Sequence, residues 1–167
     1  MKDAVDKIGS QWAEVRPDLD TSPIEIIGRV SRLSRLIDQQ LRDNFQHYGL
    51  EQNWMYDVLA TLRRRGEPFE LTAGDLVRET MVTTGAVTNR IDRLEDRGLI
   101  ERTANPTDRR QVVVRLTPAG LALTDKIADA HYVFEAELLR SLTATQRTAV
   151  AKALRTVLID LGDGDLS

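Results

Sequence analysis

Residues 71–120 read LTAGDLVRETMVTTGAVTNRIDRLEDRGLIERTANPTDRRQVVVRLTPAG, and this stretch leaves few ways to fold. Thr72-Ala73-Gly74-Asp75 sets a hydroxyl and a carboxylate three residues apart, so each can take an orphan N–H at a helix start. The short helix that follows holds Leu76 and Val77 and stops near Thr80. Thr83 or Thr84 caps the next, in which Val87, Ile91 and Leu94 share one apolar stripe and Gly98 supplies the C-terminal cap. Two β-rich runs, 99–102 and 112–116, then flank a turn at Asn105-Pro106-Thr107-Asp108. The order is helix, tight turn, helix, hairpin.

The remainder of the chain reads as helices around that unit. Ser22-Pro23-Ile24-Glu25 has the form of a capping box, and Ile26, Val30, Leu33, Ile37, Leu41 and Phe45 follow at helical spacing as far as Tyr48 and Gly49. Trp54, Val58 and Leu62 make a second stripe, ending in Arg63, Arg64 and Arg65 before Gly66, where cations suit the negative end of the helix dipole. Thr117-Pro118 opens a helix with Leu121, Ile127, Phe134 and Leu138 inside; Thr143 to Gln146 opens another with Val150, Leu154, Val157 and Leu161 inside. Residues 1–16 form a separate amphipathic segment on Val5, Ile8, Trp12 and Val15. The expected fold is therefore mainly α with a small β-hairpin wing, a winged helix-turn-helix.

A helix presented in this way fits the major groove of DNA, and a basic hairpin beside it reaches the minor groove. With Val87 at the centre of the buried face, Gly85, Asn89 and Asp92 fall opposite, and Thr84 and Thr88 lie on the N-terminal flanks. Thr83, Thr84, Gly85, Thr88 and Asn89 are the candidate contacts, since small and polar side chains permit close approach to base edges and phosphates. On the wing, Arg109 and Arg110 are the candidates, with Asp108 placed to steady a guanidinium. The net charge of −3 argues against indiscriminate nucleic-acid binding, so the cations must be locally arranged. Residues 102–115 carry Arg102, Arg109, Arg110 and Arg115 against Asp108 alone, an excess of three positive charges.

The stretch TTGAVTNRIDRLEDRGLIERTANPTDRRQVVVRLTPAG closely resembles the MarR family of bacterial transcription regulators. The likeness extends over nearly the whole chain, and the DRR wing followed by LTPAG is its most specific part. It implies a single domain, 1–167, that forms a homodimer on a double-stranded, pseudo-palindromic operator. Segment 1–16 would be an extra N-terminal helix, 22–48 and 117–161 the dimerisation helices, and 51–116 the DNA-binding region. In the family the Arg of the D-x-R wing pattern enters the minor groove, which corresponds to Arg110; Arg109 is a candidate for the backbone.

A narrower resemblance is to the urate-responsive branch of that family. It rests on Trp12 in the extra helix, Asp57 in NWMYDVLATL and Arg90 in TNRI. Arg90 lies roughly 60° from Val87 on the wheel and so turns partly inward. A small planar or polycarboxylate anion could pair with Arg90, with Trp12 stacking on it and Asp57 accepting from ring N–H groups or being repelled. Alternatively, Trp12 is an aromatic anchor and Asp57 and Arg90 form a structural ion pair. A ligand that pulls on Arg90 would act on the recognition helix itself.

Other functions find less support. The chain has no cysteine, and His47 and His131 are its only histidines, each read as structural; no HExxH, phosphate-binding glycine loop or GxSxG is present. No catalytic residue, metal site or cofactor is expected. A winged helix that binds only protein, without ligand response, is the rival reading, but it has no need of Arg109 and Arg110. The absence of a signal peptide and of any long apolar run gives a cytoplasmic expectation with no membrane partner.

Overall fold

The computed structural model describes residues 2–80, 83–105, 108 and 111–164. They form two compact units, residues 1–44 and 45–167.

The first unit holds α1 (Ala4–Val15) and most of α2 (Ile24–Gln46). Asp3 caps α1 by accepting from the Val5 and Asp6 N–H groups, and Asp6 accepts from the Asp3 N–H at 2.7 Å. Arg29 on α2 reaches both carboxylates at 2.8 Å; the Asp6 backbone N–H first, and then Arg29, hold the Asp3 carboxyl below its usual range. Val5 is buried and packs against Gly28, where an added methyl would meet it at 3.2 Å. The rest of the α1 stripe differs from expectation, since Trp12 and Val15 are exposed. The capping box expected at Ser22 also differs: Ser22 donates its N–H to Asp20 at 2.9 Å, and α2 begins at Ile24.

In the second unit α3 (Asn53–Arg64) runs to Gly66, whose positive φ of 77° ends it. Then come β1 (Glu70–Thr72), α4 (Ala73–Thr80), α5 (Thr84–Asp96), β2 (Ile100–Ala104) and β3 (Val112–Leu116), followed by α6 (Pro118–Leu138) and α7 (Ala144–Asp160). The sheet has three strands in the order β1-β3-β2, all antiparallel, with Leu71 and Arg102 both opposite Val114. The two-stranded wing of the sequence reading thus gains β1, whose three residues are too few to show alternation. Leu59, Leu62, Leu76, Leu94, Ile100 and Val114 are all but inaccessible and form the core that fixes α5 against the sheet.

Four expected caps are present. Thr72 and Asp75 bond reciprocally at the start of α4, at 3.1 and 3.3 Å. Thr83, Thr117 and Thr143 cap α5, α6 and α7, the last with Gln146 completing the box. The apolar stripe of α7 departs from expectation: Val150, Leu154, Val157 and Leu161 are exposed within the chain. On α2, Ile26, Val30 and Leu33 are likewise exposed, and only Phe45 is buried. Periodicity marks an apolar face, and nothing in it says whether the chain itself or a partner covers that face.

Candidate nucleic-acid interface and ligand cleft

The N-terminal half of α5 is open. Thr83 adopts extended backbone (φ −71°, ψ 153°), and its hydroxyl accepts from the Ala86 N–H at 3.4 Å. Thr84, Gly85, Thr88 and Asn89 are exposed, while Val87, Ile91 and Leu94 are buried beneath them. The Thr88 hydroxyl donates to the Thr84 carbonyl at 3.1 Å and keeps acceptor capacity outward. The partial positive charge of the helix N-terminus points the same way, which favours phosphate.

Arg109 and Arg110 lie outside the described residues. Beside them, Asp108 donates its N–H to Asn105 and accepts from the Gln111 amide at 3.1 Å. The other two wing cations are committed elsewhere, which corrects the charge excess read from the sequence. Arg115 donates twice to Glu70 on the neighbouring strand, at 2.8 and 2.6 Å. Arg102 donates its guanidinium to Asp92 and Glu95 of α5, and its backbone N–H to Glu95 at 3.0 Å. Burial works against the Arg102 charge, but the two carboxylates outweigh it and raise the guanidinium above its ordinary range. Counting charges along the sequence could not reveal these pairs, because their acids lie on β1 and α5.

Arg90 is half-buried, as its wheel position implied, and its guanidinium sits over the Trp54 ring at 5.4 Å. Periodicity alone assigns Trp54 to the apolar stripe of α3 and does not show that it lies under Arg90. The available signal was spacing, since Trp54 and Asp57 are three apart and share a face. Asp57 is exposed and lines a cleft of about 310 Å³ with Ala60, Thr61, Arg64, Glu79 and Thr80. Within it Arg64 donates to Glu79 at 2.5 Å. Trp12 belongs to the first unit, where it is exposed beside Ile8, Gln11 and Val15.

His131 packs against the rings of Phe45 and Tyr56, at 5.3 and 4.9 Å, and approaches Glu135 at 3.2 Å, a packing position. Burial, and after it the neighbouring charges of Tyr132, Glu135 and Asp57, push the Tyr56 phenol up to about 12.

LTPAG makes the junction behind the wing. The Thr117 hydroxyl accepts from the Gly120 N–H at 3.0 Å and donates to the Gly98 carbonyl at 2.7 Å. The Thr117 N–H donates to the Leu99 carbonyl, against which Gly120 lies so closely that an added methyl carbon would fall 1.9 Å from its oxygen. One short segment thereby joins the C-terminal cap of α5, the start of β2 and the first turn of α6.

A helix-turn-helix pair backed by a three-stranded wing, with an open capped second helix, defines a winged-helix protein. The model for the MarR family matches residues 48–111. The chain is 37% identical over 153 residues to the HTH-type transcriptional regulator PecS of Dickeya dadantii, covering 92% of each protein. It therefore belongs to the MarR family of transcriptional regulators, and is a regulator rather than an enzyme. Its fold is similar to that of a MarR mutant from E. coli solved with operator DNA, at 26% identity, a TM-score of 0.72, and 88% and 97% coverage of the two chains. It is also similar to BpsR of Bordetella bronchiseptica, solved to explain regulation of DNA binding by 6-hydroxynicotinic acid, at 28% identity, a TM-score of 0.63, and 77% and 98% coverage.

Proposed function

We propose that this chain binds a pseudo-palindromic DNA operator as a homodimer, acts as a repressor, and is released by a small planar or polycarboxylate anion of which urate is one example. The observation that carries this reading is the open first half of α5, where Thr84, Gly85, Thr88 and Asn89 stand exposed on a helix capped by Thr83 and anchored by buried Val87, Ile91 and Leu94. Those five residues, with Arg109 and Arg110 of the wing, are the proposed DNA contacts. The relative solved with operator DNA supports the same use of the fold.

Self-association is supported by the apolar faces that each unit leaves uncovered. On α2 these are Ile26, Ile27, Val30 and Leu33; on α7 they are Val150, Leu154, Val157 and Leu158. Contiguous exposed apolar surface of this kind marks an interface. A two-fold dimer places its recognition helices about one helical turn of DNA apart, roughly 34–36 Å, and so reads two half-sites.

The ligand would engage Arg90, which can exchange the Trp54 ring for an anionic oxygen, and Asp57, which lines a cleft with Ala60, Thr61, Arg64, Glu79 and Thr80. The BpsR relative supports control by a planar aromatic acid. Because Arg90 is part of α5, ligand and DNA would favour different placements of that helix. Each then weakens the other's binding by the same factor.

The test is selection of duplexes from a random pool, followed by anisotropy titrations of the selected DNA across a salt series. Two-fold related half-sites are expected, with affinity falling steeply as salt rises. Urate and 6-hydroxynicotinate added to the complex should release DNA from the parent protein but not from Arg90→Gln. Selection of no sequence, or binding indifferent to salt, would remove the DNA reading. An Arg90→Gln protein that still responds in full would remove the ligand assignment.

A further inference from the structure

Asp92 poses a difficulty for a DNA-reading helix. It continues the line of Gly85 and Asn89 at steps of four and three, so it shares their outward face, and it is 54% exposed. A carboxylate there meets a polyphosphate with the wrong sign. Glu95, three residues on, adds a second negative charge. Among the described residues both carboxylates are held by Arg102 of β2, which is itself only 29% exposed. The Arg102 N–H bond to Glu95 keeps the strand in place at the point where its side chain crosses to the helix.

We propose that Arg102 is a positioning residue whose task is to neutralise Asp92 and Glu95, so that the outer face of α5 can approach the DNA backbone. Its guanidinium is spent on the helix and does not itself contact phosphate. This inference rests on the reading of α5 as the DNA-contacting helix. It assigns the wing strand a second role besides carrying the tip, namely to mask the acids of the recognition helix. Like charges brought together across an interface are strongly disfavoured. Uncovering two carboxylates should therefore weaken binding at least about tenfold in low salt.

The experiment uses the full-length protein and the duplex that the parent selects. Arg102→Met should bind that duplex at least about tenfold more weakly, with the deficit narrowing as salt screens the exposed acids. Arg102→Lys, which keeps the charge, should retain most of the affinity. The triple variant Arg102→Met, Asp92→Asn, Glu95→Gln should return close to the parent. Asp92→Asn, Glu95→Gln with Arg102 intact should bind at least as tightly as the parent, and this arm holds even if Arg102→Met fails to fold. Were Arg102 a direct phosphate contact, the triple variant would remain as weak as Arg102→Met. Were its role only to brace the wing, the deficit would not change with salt; either result overturns the inference. A parent that selects no duplex removes the DNA reading and this inference together, whereas a parent that binds while the triple variant stays weak removes this inference alone.

Discussion

Gly120 offers a sharp test of the junction behind the wing. Replacing it with Ala places a methyl carbon 1.9 Å from the Leu99 carbonyl oxygen and 2.8 Å from the carbonyl carbon. Real contacts of this kind do not fall below 3.0 Å, so helix and strand must separate by about 1 Å. Neither side yields easily. The Leu99 oxygen also accepts from the Thr117 N–H at 3.1 Å, the Leu99 N–H is bonded to the Leu94 carbonyl at 3.0 Å, and the Leu99 side chain is buried. Overpacking of this sort costs about 1–3 kcal/mol and sometimes more. Against it stands the better helix propensity of Ala, worth up to about 1 kcal/mol. A 1.9 Å contact with backbone lies at the upper end of that cost, so the expected net loss is about 2 kcal/mol, a fall in Tm of roughly 4–8 °C for a chain of this size. Urea and thermal unfolding followed by circular dichroism, at one fixed protein concentration, would measure it. Gly9→Ala is the matched control: it lies within α1 with nothing within 4 Å, so the same substitution there should stabilise by up to about 1 kcal/mol. If Gly120→Ala were as stable as the parent, the close approach would not be the reason for glycine at this position.

Three further outcomes are expected. Thr83→Ala removes the hydroxyl that caps α5 and should cost about 1 kcal/mol in urea unfolding while weakening operator binding; parity with the parent in both would contradict the capping role. Leu154→Glu puts a charge on the exposed apolar face of α7 and should leave a folded monomer in light scattering that no longer binds DNA tightly; a dimer of normal stability would place the interface elsewhere. Tyr56 gives a pH signature. Its folded phenol is pushed up to about 12 from an ordinary 10.0, so the folded state holds its proton more tightly than the unfolded state between those values. Its contribution is complete below pH 10 and is lost as the pH rises through 12, by at most roughly 2–3 kcal/mol. Phenylalanine at the same position should remove that part of the alkaline slope, and an unchanged slope would show that Tyr56 is not its source.

Short-range signals were legible in the chain and long-range pairings were not. Hydroxyl and carboxylate caps act over three residues, so Thr72 with Asp75, Thr117 and Thr143 are found in place, and of Thr83 and Thr84 it is Thr83 that caps α5; the box expected at Ser22 is the exception, its N–H going to Asp20. The stripe of Val87, Ile91 and Leu94 was equally local and is buried. Arg102 and Arg115 were misread as free wing cations because Asp92, Glu95 and Glu70 come within reach only when β2 and β3 fold against α5 and β1. Trp54 shows in the sequence only as part of an apolar stripe, because its neighbour Arg90 is carried by another helix.

LTPAG shows both sides of that division. The sequence by itself determined the helix start, since Thr117 and Pro118 act within one turn. Only the tertiary structure decided why a glycine stands two residues later: the backbone of Leu99 occupies the space that a side chain would need. Likewise the apolar periodicity of α7 was fixed by its residues, but the side left open was decided by packing. Caps and periodicities are set by the backbone geometry of a single helix. Charge pairing, close approach and exposure depend on which distant residues the fold brings alongside.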